Sequence, residues 1–212
     1  MRSQRLTLTQ FDYKKKDGVY KNLVKFIKKN ILVIIISFSF IFIIDRCSVK
    51  NILWSLTTLY FILGWSYFTH RVLHHPIGKK ILWNYHYKHH DHDISNTLIW
   101  RLVEYFYMDF IVGGGAMLII INMIIEKIGG PKCFNYYIIL YWSLVYTSHH
   151  AFNWHSTNSL NPHFFHHENL STNFGPDFMD IFFQTKMDED IIEDMNSLVY
   201  NSCVVMAFFC LL

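Results

Sequence analysis

Long apolar blocks limit what this chain can fold into more than any other feature of its sequence. Five segments of 14 to 17 residues are almost entirely apolar, at 31–44, 52–68, 110–125, 133–147 and 198–212. Because these residues form unbroken runs and do not alternate with polar ones, we expect helices in a membrane. Only 17% of the residues are charged, fewer than the roughly 25% of typical soluble domains. The sequence therefore predicts an all-α integral membrane protein.

The lengths of the blocks and of their connections predict two transmembrane helical hairpins. A 14-residue helix is only about 21 Å long, shorter than a hydrocarbon core of roughly 30 Å. Either the flanking Lys29 and Arg46 extend to the interface, or the hairpins do not fully cross the bilayer. The connections at 45–51 and 126–132 are short, which favours antiparallel neighbours.

The distribution of charge predicts the orientation of these hairpins. Residues 1–30 carry nine Lys or Arg and two acids, and they directly precede an apolar block. We therefore expect a basic cytoplasmic segment at anionic lipid, not a nucleic-acid site, followed by a membrane-embedded domain over 31–212. Apolar residues at helical spacing over 20–27 predict that part of the segment lies on the membrane surface. No small-residue site follows the first block, so we expect no cleaved signal peptide.

Histidines are confined to two windows that this topology brings to the same face. All 13 lie within 70–92 and 149–167, where each hairpin returns to the cytoplasm. Residues three and four apart share one face of a helix, and neutral imidazole is the commonest protein ligand for iron, zinc and copper. The spacings predict a polyhistidine metal centre built from HxxxH and two HxxHH boxes, namely His70 and His74, His86, His89 and His90, and His163, His166 and His167.

Other motifs predict little further chemistry. The four cysteines are isolated, so neither a thiolate metal site nor a disulfide framework is expected. Three consecutive glycines at 113–115 lack the spacing of a phosphate loop and predict close helix packing. No nicotinamide or flavin motif is present in the sequence. The acidic segment 177–194 predicts a solvated surface, with docking of a basic electron donor as the alternative.

The histidine boxes and the residues around them resemble a known family. The runs HRVLHHP, NYHYKHH and PHFFHHENLSTNFGPDFMDIFFQT are similar to the fatty acid hydroxylase and sterol desaturase superfamily of integral-membrane di-metal oxygenases. The resemblance covers roughly 55–185 and includes the order and spacing of the boxes. It implies that the eight box histidines are metal ligands, with His75 an alternative to His74. Further ligands are expected among His149, His150 and His155. Met179 and Gln184 stand where the family often has Trp and Gly.

The resemblance also implies a function and partners. It implies two iron ions, with zinc possible in their place, under a cytoplasmic helical cap, and O₂ as co-substrate. A lipid from the bilayer, either a fatty acyl chain or a sterol, would be hydroxylated or desaturated. Electrons would come from an external donor such as cytochrome b5 and its reductase, and the location would be the endoplasmic reticulum membrane of a eukaryotic host. As partners of ligating imidazoles we favour Asp180, from the family pattern, and Glu104, from its position at the start of the third block.

Three alternatives remain open at the level of sequence. A non-enzymatic zinc or iron transporter could use the same histidines, although transporters usually place ionisable ligands inside their spans and these apolar blocks contain no histidine. A bis-histidine haem protein would need only two of the thirteen. A third alternative is an inactive member of the family.

Overall fold

The regular structure of this computed structural model is helical wherever the chain is described, that is, over 18–45, 48–75, 98–150, 166, 169–188 and 190–211. In chain order the helices are α1 (Val19–Lys29), α2 (Ile31–Ile44), α3 (Val49–His74), α4 (Leu98–Val103), the π-helical α5 (Glu104–Gly113), α6 (Met117–Lys127), α7 (Tyr136–Ser148), α8 (Asp177–Phe183) and α9 (Leu198–Leu211). A 3₁₀ turn, Met195–Ser197, precedes α9. These ranges contain no strand, so the all-α prediction is confirmed.

Helix α7 lies at the centre of the fold. It packs against α3, α5 and α9, and α9 also packs against α2. The largest buried cluster joins α2, α7 and α9, and the ring of Phe40 stacks on that of Tyr141 with 4.3 Å between centroids. Uniformly apolar helices can pack in this way on several sides. The four helices α2, α3, α7 and α9 correspond closely to four of the five apolar blocks.

Helix α3 connects this apolar core to the first histidine box. The apolar block predicted at 52–68 continues as one helix of 26 residues and ends at His74. His70 and His74 therefore occupy successive turns at the C-terminal end of the same helix, as the HxxxH spacing predicts.

Helices α1 and α2 meet at a bend of 77° at Asn30. The Asn30 side chain accepts a hydrogen bond from the backbone N–H of Met195 at 2.7 Å and donates one to the carbonyl oxygen of Glu193 at 3.0 Å. Beyond the bend, Phe26 of α1 packs against Phe178 and Ile181 of α8. Of the apolar residues predicted to lie on a membrane surface, Leu23 packs against this cluster, whereas Tyr20 and Ile27 are exposed.

The third apolar block is broken, so the prediction of one continuous helix over 110–125 is wrong. Helices α5 and α6 meet at a 50° bend, and Gly115 between them has a φ of +82°. A Cβ on Gly114 would lie 2.8 Å from the Cα of Ser143 on α7. The Ser143 hydroxyl donates to the Gly114 carbonyl oxygen at 2.7 Å. The prediction that these glycines permit close helix packing is confirmed.

Length and hydropathy identify no single bilayer-crossing helix within the described ranges. Helix α3 is long enough but too polar, and the apolar α2 and α9 are too short. The consecutive pairs α1–α2 and α5–α6 reach the required length and hydropathy only together, and both are sharply bent. Many large apolar side chains are nevertheless exposed, among them Ile35, Phe42, Leu53, Ile124 and Val204.

Candidate metal centre

Three histidines from distant parts of the chain form a compact group at the end of α3. One imidazole nitrogen from each of His70, His74 and His166 lies within 4.8 Å of the other two. The Nε2 atoms of His74 and His166 are 2.8 Å apart, and the His70 ring centroid is 4.5 Å from that of His166. His166 is fully buried and His70 is 6% exposed. The first and third histidine boxes therefore meet in space.

Backbone carbonyl groups fix the orientation of two of these rings. The Nδ1 atom of His70 lies 2.6 Å from the carbonyl oxygen of Phe174, and Nδ1 of His166 lies 2.6 Å from that of Thr172. A carbonyl oxygen only accepts, so each neutral imidazole carries its proton on Nδ1 and presents an Nε2 lone pair. This is the arrangement of a metal-binding histidine whose second nitrogen is held by the protein.

The loop that supplies both carbonyl groups, residues 172–176, is held by Asp180. The Asp180 carboxylate accepts hydrogen bonds from the backbone N–H groups of Phe174 at 2.9 Å and Gly175 at 2.6 Å, and from the Thr185 hydroxyl at 2.6 Å. Burial outweighs these donors and raises the pKa of Asp180 to about 7. Asp180 therefore acts on His70 through the loop, where the sequence predicted a direct carboxylate partner.

The ring of Phe174 covers the histidine group. Its centroid lies 6.1 Å from the ring of His70, 6.0 Å from that of His74 and 5.6 Å from that of His166. Phe174 is itself 6% exposed. The sequence had indicated the Asn-Phe-Gly run only as a family pattern, and nothing in it marked the carbonyl groups of this loop as partners of the histidines.

His149 and His150, at the end of α7, lie on the other side of this loop and pair with carboxylates. Nδ1 of His150 is 2.5 Å from Oδ2 of Asp109. Burial alone would lower the pKa of His150, but the Asp109 carboxylate outweighs it and raises the pKa, with a smaller contribution from Glu104. Nε2 of His149 lies 3.9 Å from Oε1 of Glu193. Burial favours the neutral form of Glu193, yet His149 and the nearby Lys186 lower its pKa.

A small cavity of about 60 Å³ separates these two histidines from the loop. His149, His150, Phe174, Asp180 and Glu193 are among the residues that line it. Such a volume accommodates a few water molecules. Within the described residues, His149 and His150 do not join the three-histidine group. Their assignment as metal ligands stays a prediction.

The remaining predicted ligands have varied positions. His75 directly follows α3 and its side chain is exposed. Among the described residues, His74 and not His75 belongs to the three-histidine group. Glu104 is buried at the start of α5, near enough to His150 to affect its pKa. The other predicted ligands lie outside the described residues, namely His86, His89, His90, His155, His163 and His167.

The predicted solvated surface over 177–194 is wrong for the first two acids of the segment. Asp177 and Asp180 are each 1% exposed. Asp177 is paired with the buried Lys186, whose ammonium group also donates to the carbonyl oxygen of Ile191 at 2.6 Å. Because a buried charge is tolerated when it is paired and hydrogen-bonded, these acids build the fold and do not cover its surface. Asp188, Asp190 and Asp194 are exposed as predicted.

The chain was compared with known proteins by sequence and by fold. No protein-family model, no curated protein and no solved structure matches it.

The three-histidine group fits a metal ion by its chemistry and geometry. Metal–nitrogen bonds of 2.0 to 2.1 Å place two ligand nitrogens about 2.9 Å apart at a right angle and about 3.3 Å apart at a tetrahedral angle. The His74 and His166 nitrogens, at a hydrogen-bonding distance of 2.8 Å, are close to the first of these separations. In their neutral form, the two carbonyl-held imidazoles present their Nε2 lone pairs to the same region. His70, His74 and His166 can therefore hold one metal ion, and the described residues complete no second site of this kind.

Proposed function

We propose that this chain is a membrane-bound di-iron oxygenase that hydroxylates or desaturates a lipid, using O₂ and electrons from an external donor. The observation that carries the proposal is the buried His70–His74–His166 group, with two rings oriented by backbone carbonyl groups. Convergent imidazoles whose second nitrogens are held by backbone carbonyl groups are typical of metal ligands. The ligands for the second iron would come from the remaining predicted histidines.

The protein's own residues would hold and shield the reacting centre. A bound metal pair would supply the oxidant that breaks an unactivated C–H bond, which no amino-acid side chain provides. Thr172 and Phe174 would keep His166 and His70 in the ligating tautomer, and Asp180 would keep the loop in place. The Phe174 ring, against all three imidazoles, would exclude water.

The exposed apolar side chains of α2, α3, α6 and α9 support a membrane location. We propose that these helices lie in the bilayer and that the basic N-terminal segment holds the histidine group at the cytoplasmic face. A substrate dissolved in the bilayer could then reach the centre without crossing water. Electrons would come from a separate protein such as cytochrome b5 with its reductase.

The proposal is tested by lipid analysis in a heterologous host. Expression of the wild-type chain should produce hydroxylated or newly unsaturated lipids, and ¹⁸O₂ labelling should mark the hydroxylated ones. The His70→Ala and His166→Ala variants should produce neither, whereas Asp190→Asn at an exposed position should behave as wild type. Lipid profiles that are identical for wild type and both histidine variants would refute the proposal.

A non-enzymatic zinc protein is the second candidate, because three neutral imidazoles are also a common zinc donor set. It predicts that the purified protein contains zinc, that iron does not replace it and that no lipid product forms. The same expression experiment, combined with metal analysis, separates the two candidates.

A further inference from the structure

A second and larger cavity lies below the histidine group, among the apolar helices. Its volume is about 400 Å³, and its walls come mainly from α2, α3, α7 and α9, including Val33, Leu59, Leu63 and Val145. An apolar cavity of about 150 Å³ is enough to bind benzene. This cavity therefore has room for a molecule more than twice the size of benzene. Both a long hydrocarbon chain and a fused-ring system are compatible with that volume.

The cavity opens on a side that carries exposed apolar residues. Phe38 of α2 and Tyr60 of α3 both line it, and their exposed fractions are 43% and 63%. A ligand that enters between such residues must itself be lipid-soluble. None of the described residues that line the cavity is charged, so a charged headgroup would be buried there without a partner, at high cost.

One cluster of hydroxyl groups interrupts the apolar lining. The Ser37 Oγ and Tyr141 Oη atoms are 3.2 Å apart, and Ser202 lies beside Tyr141. All three residues line the cavity, and Tyr141 is 2% exposed. Hydroxyl groups both donate and accept, so this cluster can hydrogen-bond a ligand's single neutral polar group and fix its orientation.

Trp142 forms part of the wall between this cavity and the small cavity beside His149 and His150. It lines both, as do Met195 and Leu198. Its indole N–H donates to the Ser66 hydroxyl at 3.0 Å, and that hydroxyl lies 2.6 Å from the carbonyl oxygen of Gly113. The indole is thus fixed to two other helices, α3 and α5, and limits how far a bound molecule can extend towards the histidines.

We propose that the 400 Å³ cavity binds one neutral lipid alcohol, with its hydroxyl group at Ser37 and Tyr141 and its apolar body against Trp142. Size, the apolar opening, the uncharged lining and the single hydroxyl cluster together define this class, which includes long-chain alcohols and sterols. That the bound alcohol is the substrate rests on the proposed oxygenase function. The binding site itself does not, because none of the described histidines lines it.

The test is a binding titration on the detergent-purified chain. The probe is 9,10-dibromo-octadecanol, whose bromine atoms quench tryptophan fluorescence on contact. We expect saturable quenching that Trp142→Phe largely removes. Unlabelled octadecanol, a sterol or both should reverse it, and the one that competes better identifies the kind of alcohol. Octadecanoate should compete at least tenfold more weakly, because the described residues that line the cavity include no cation to pair with its carboxylate.

Paired variants separate binding in the cavity from partition into detergent. Val33→Phe fills the cavity and should weaken binding at least tenfold, whereas Val204→Phe, at a 70% exposed position of α9, should not change it. Tyr141→Phe removes one hydrogen bond and should weaken binding about threefold to tenfold. Because Tyr141→Phe is nearly isosteric, it keeps the test valid if Val33→Phe fails to fold.

The inference is overturned by quenching that does not saturate, that no alcohol reverses, or that is equal in Val33→Phe and Val204→Phe. The His70→Ala/His166→Ala variant distinguishes this failure from failure of the proposed function. It should still bind the probe, because the cavity does not use those residues. Binding without metal or product would refute only the oxygenase function, and metal with product but no binding would refute only the cavity assignment.

Discussion

At the scale of single residues, Asp180 has the widest influence on the histidine group. It holds the backbone N–H groups of Phe174 and Gly175, and Phe174 in turn orients His70. We predict that Asp180→Asn lowers metal affinity about 10- to 100-fold, the usual effect of losing an outer partner of a metal ligand. It should also lower the free energy of unfolding by about 1 to 3 kcal/mol. The two carboxylate oxygens each accept from one backbone N–H group, whereas an amide has only one oxygen and its NH₂ group cannot accept. Metal analysis and thermal unfolding would measure this, with the exposed Asp188→Asn as control. Unchanged affinity would contradict it.

The raised pKa of Asp180 also predicts how stability depends on pH. With a folded pKa of about 7 and an ordinary unfolded pKa near 4, the folded state binds more protons between these values. This contribution to stability is therefore complete below about pH 4 and is lost as the pH rises through 7, at up to about 1.4 kcal/mol per pH unit. Denaturant unfolding of the metal-free protein at pH 5 and pH 8 should show the wild type losing more stability than Asp180→Asn. Equal losses would contradict the assigned shift.

Gln184 has a backbone conformation that glycine adopts with less strain. Its φ is +56° at the end of α8, the left-handed region in which glycine is unstrained. We predict that Gln184→Gly raises the free energy of unfolding by up to about 1 kcal/mol, whereas Gln184→Ala gives no such gain. Thermal unfolding of the three proteins would measure the difference. Destabilisation by glycine would contradict the argument.

At the scale of helices, the close approach of the α5–α6 junction to α7 depends on Gly114. A Cβ there would lie 2.8 Å from both the Cα of Ser143 and the carbonyl oxygen of Asp109, and neither is the end of a flexible side chain. We predict that Gly114→Ala lowers the free energy of unfolding by about 1 to 3 kcal/mol. Gly18→Ala, where a Cβ meets nothing within 4 Å, is the matched control. Equal stability of the two variants would show that the junction adjusts freely.

Some elements follow from the sequence and others do not. Helix α9 begins at residue 198, where the last apolar block also begins. An uninterrupted apolar run of this length favours a buried or membrane helix, so the sequence is enough to predict this element. The break at 114–116 is not predictable in the same way. Three glycines in an apolar block are compatible both with a continuous, closely packed helix and with a broken one. The contact with Ser143, on a helix distant in sequence, is what distinguishes the two.

The same contrast holds in the histidine group. His70 and His74 could be paired from their spacing alone, because helix geometry places residues four apart on one face. The backbone partners of the His70 and His166 rings could not be found in this way. Every residue of the loop has a carbonyl group, and only the folded loop shows that Phe174 and Thr172 direct theirs at imidazoles. The burial of Asp177 also depends on a partner, Lys186, that an acidic run does not reveal.

At the scale of the whole molecule, the apolar helices and the histidine group belong to one arrangement. Helix α3 passes from the apolar core to His70 and His74, and the 172–176 loop joins these residues to His166. The large cavity lies along the same helix, between Leu56 and Leu63. One continuous helix therefore contributes both to the wall of the large cavity and to the histidine group.

The proposed function depends on a metal ion bound by His70, His74 and His166, so bound metal is the most informative measurement. The detergent-purified wild-type chain from iron-supplied cells should be analysed for bound metal beside a folded His70→Ala/His166→Ala variant and the exposed Asp188→Asn control. We predict about two iron ions per chain in the wild type and the control. The histidine variant should lose at least the iron held by this group, about half of the total or more. A well-folded wild-type chain without bound metal, or a histidine variant that retains the full amount, would contradict it.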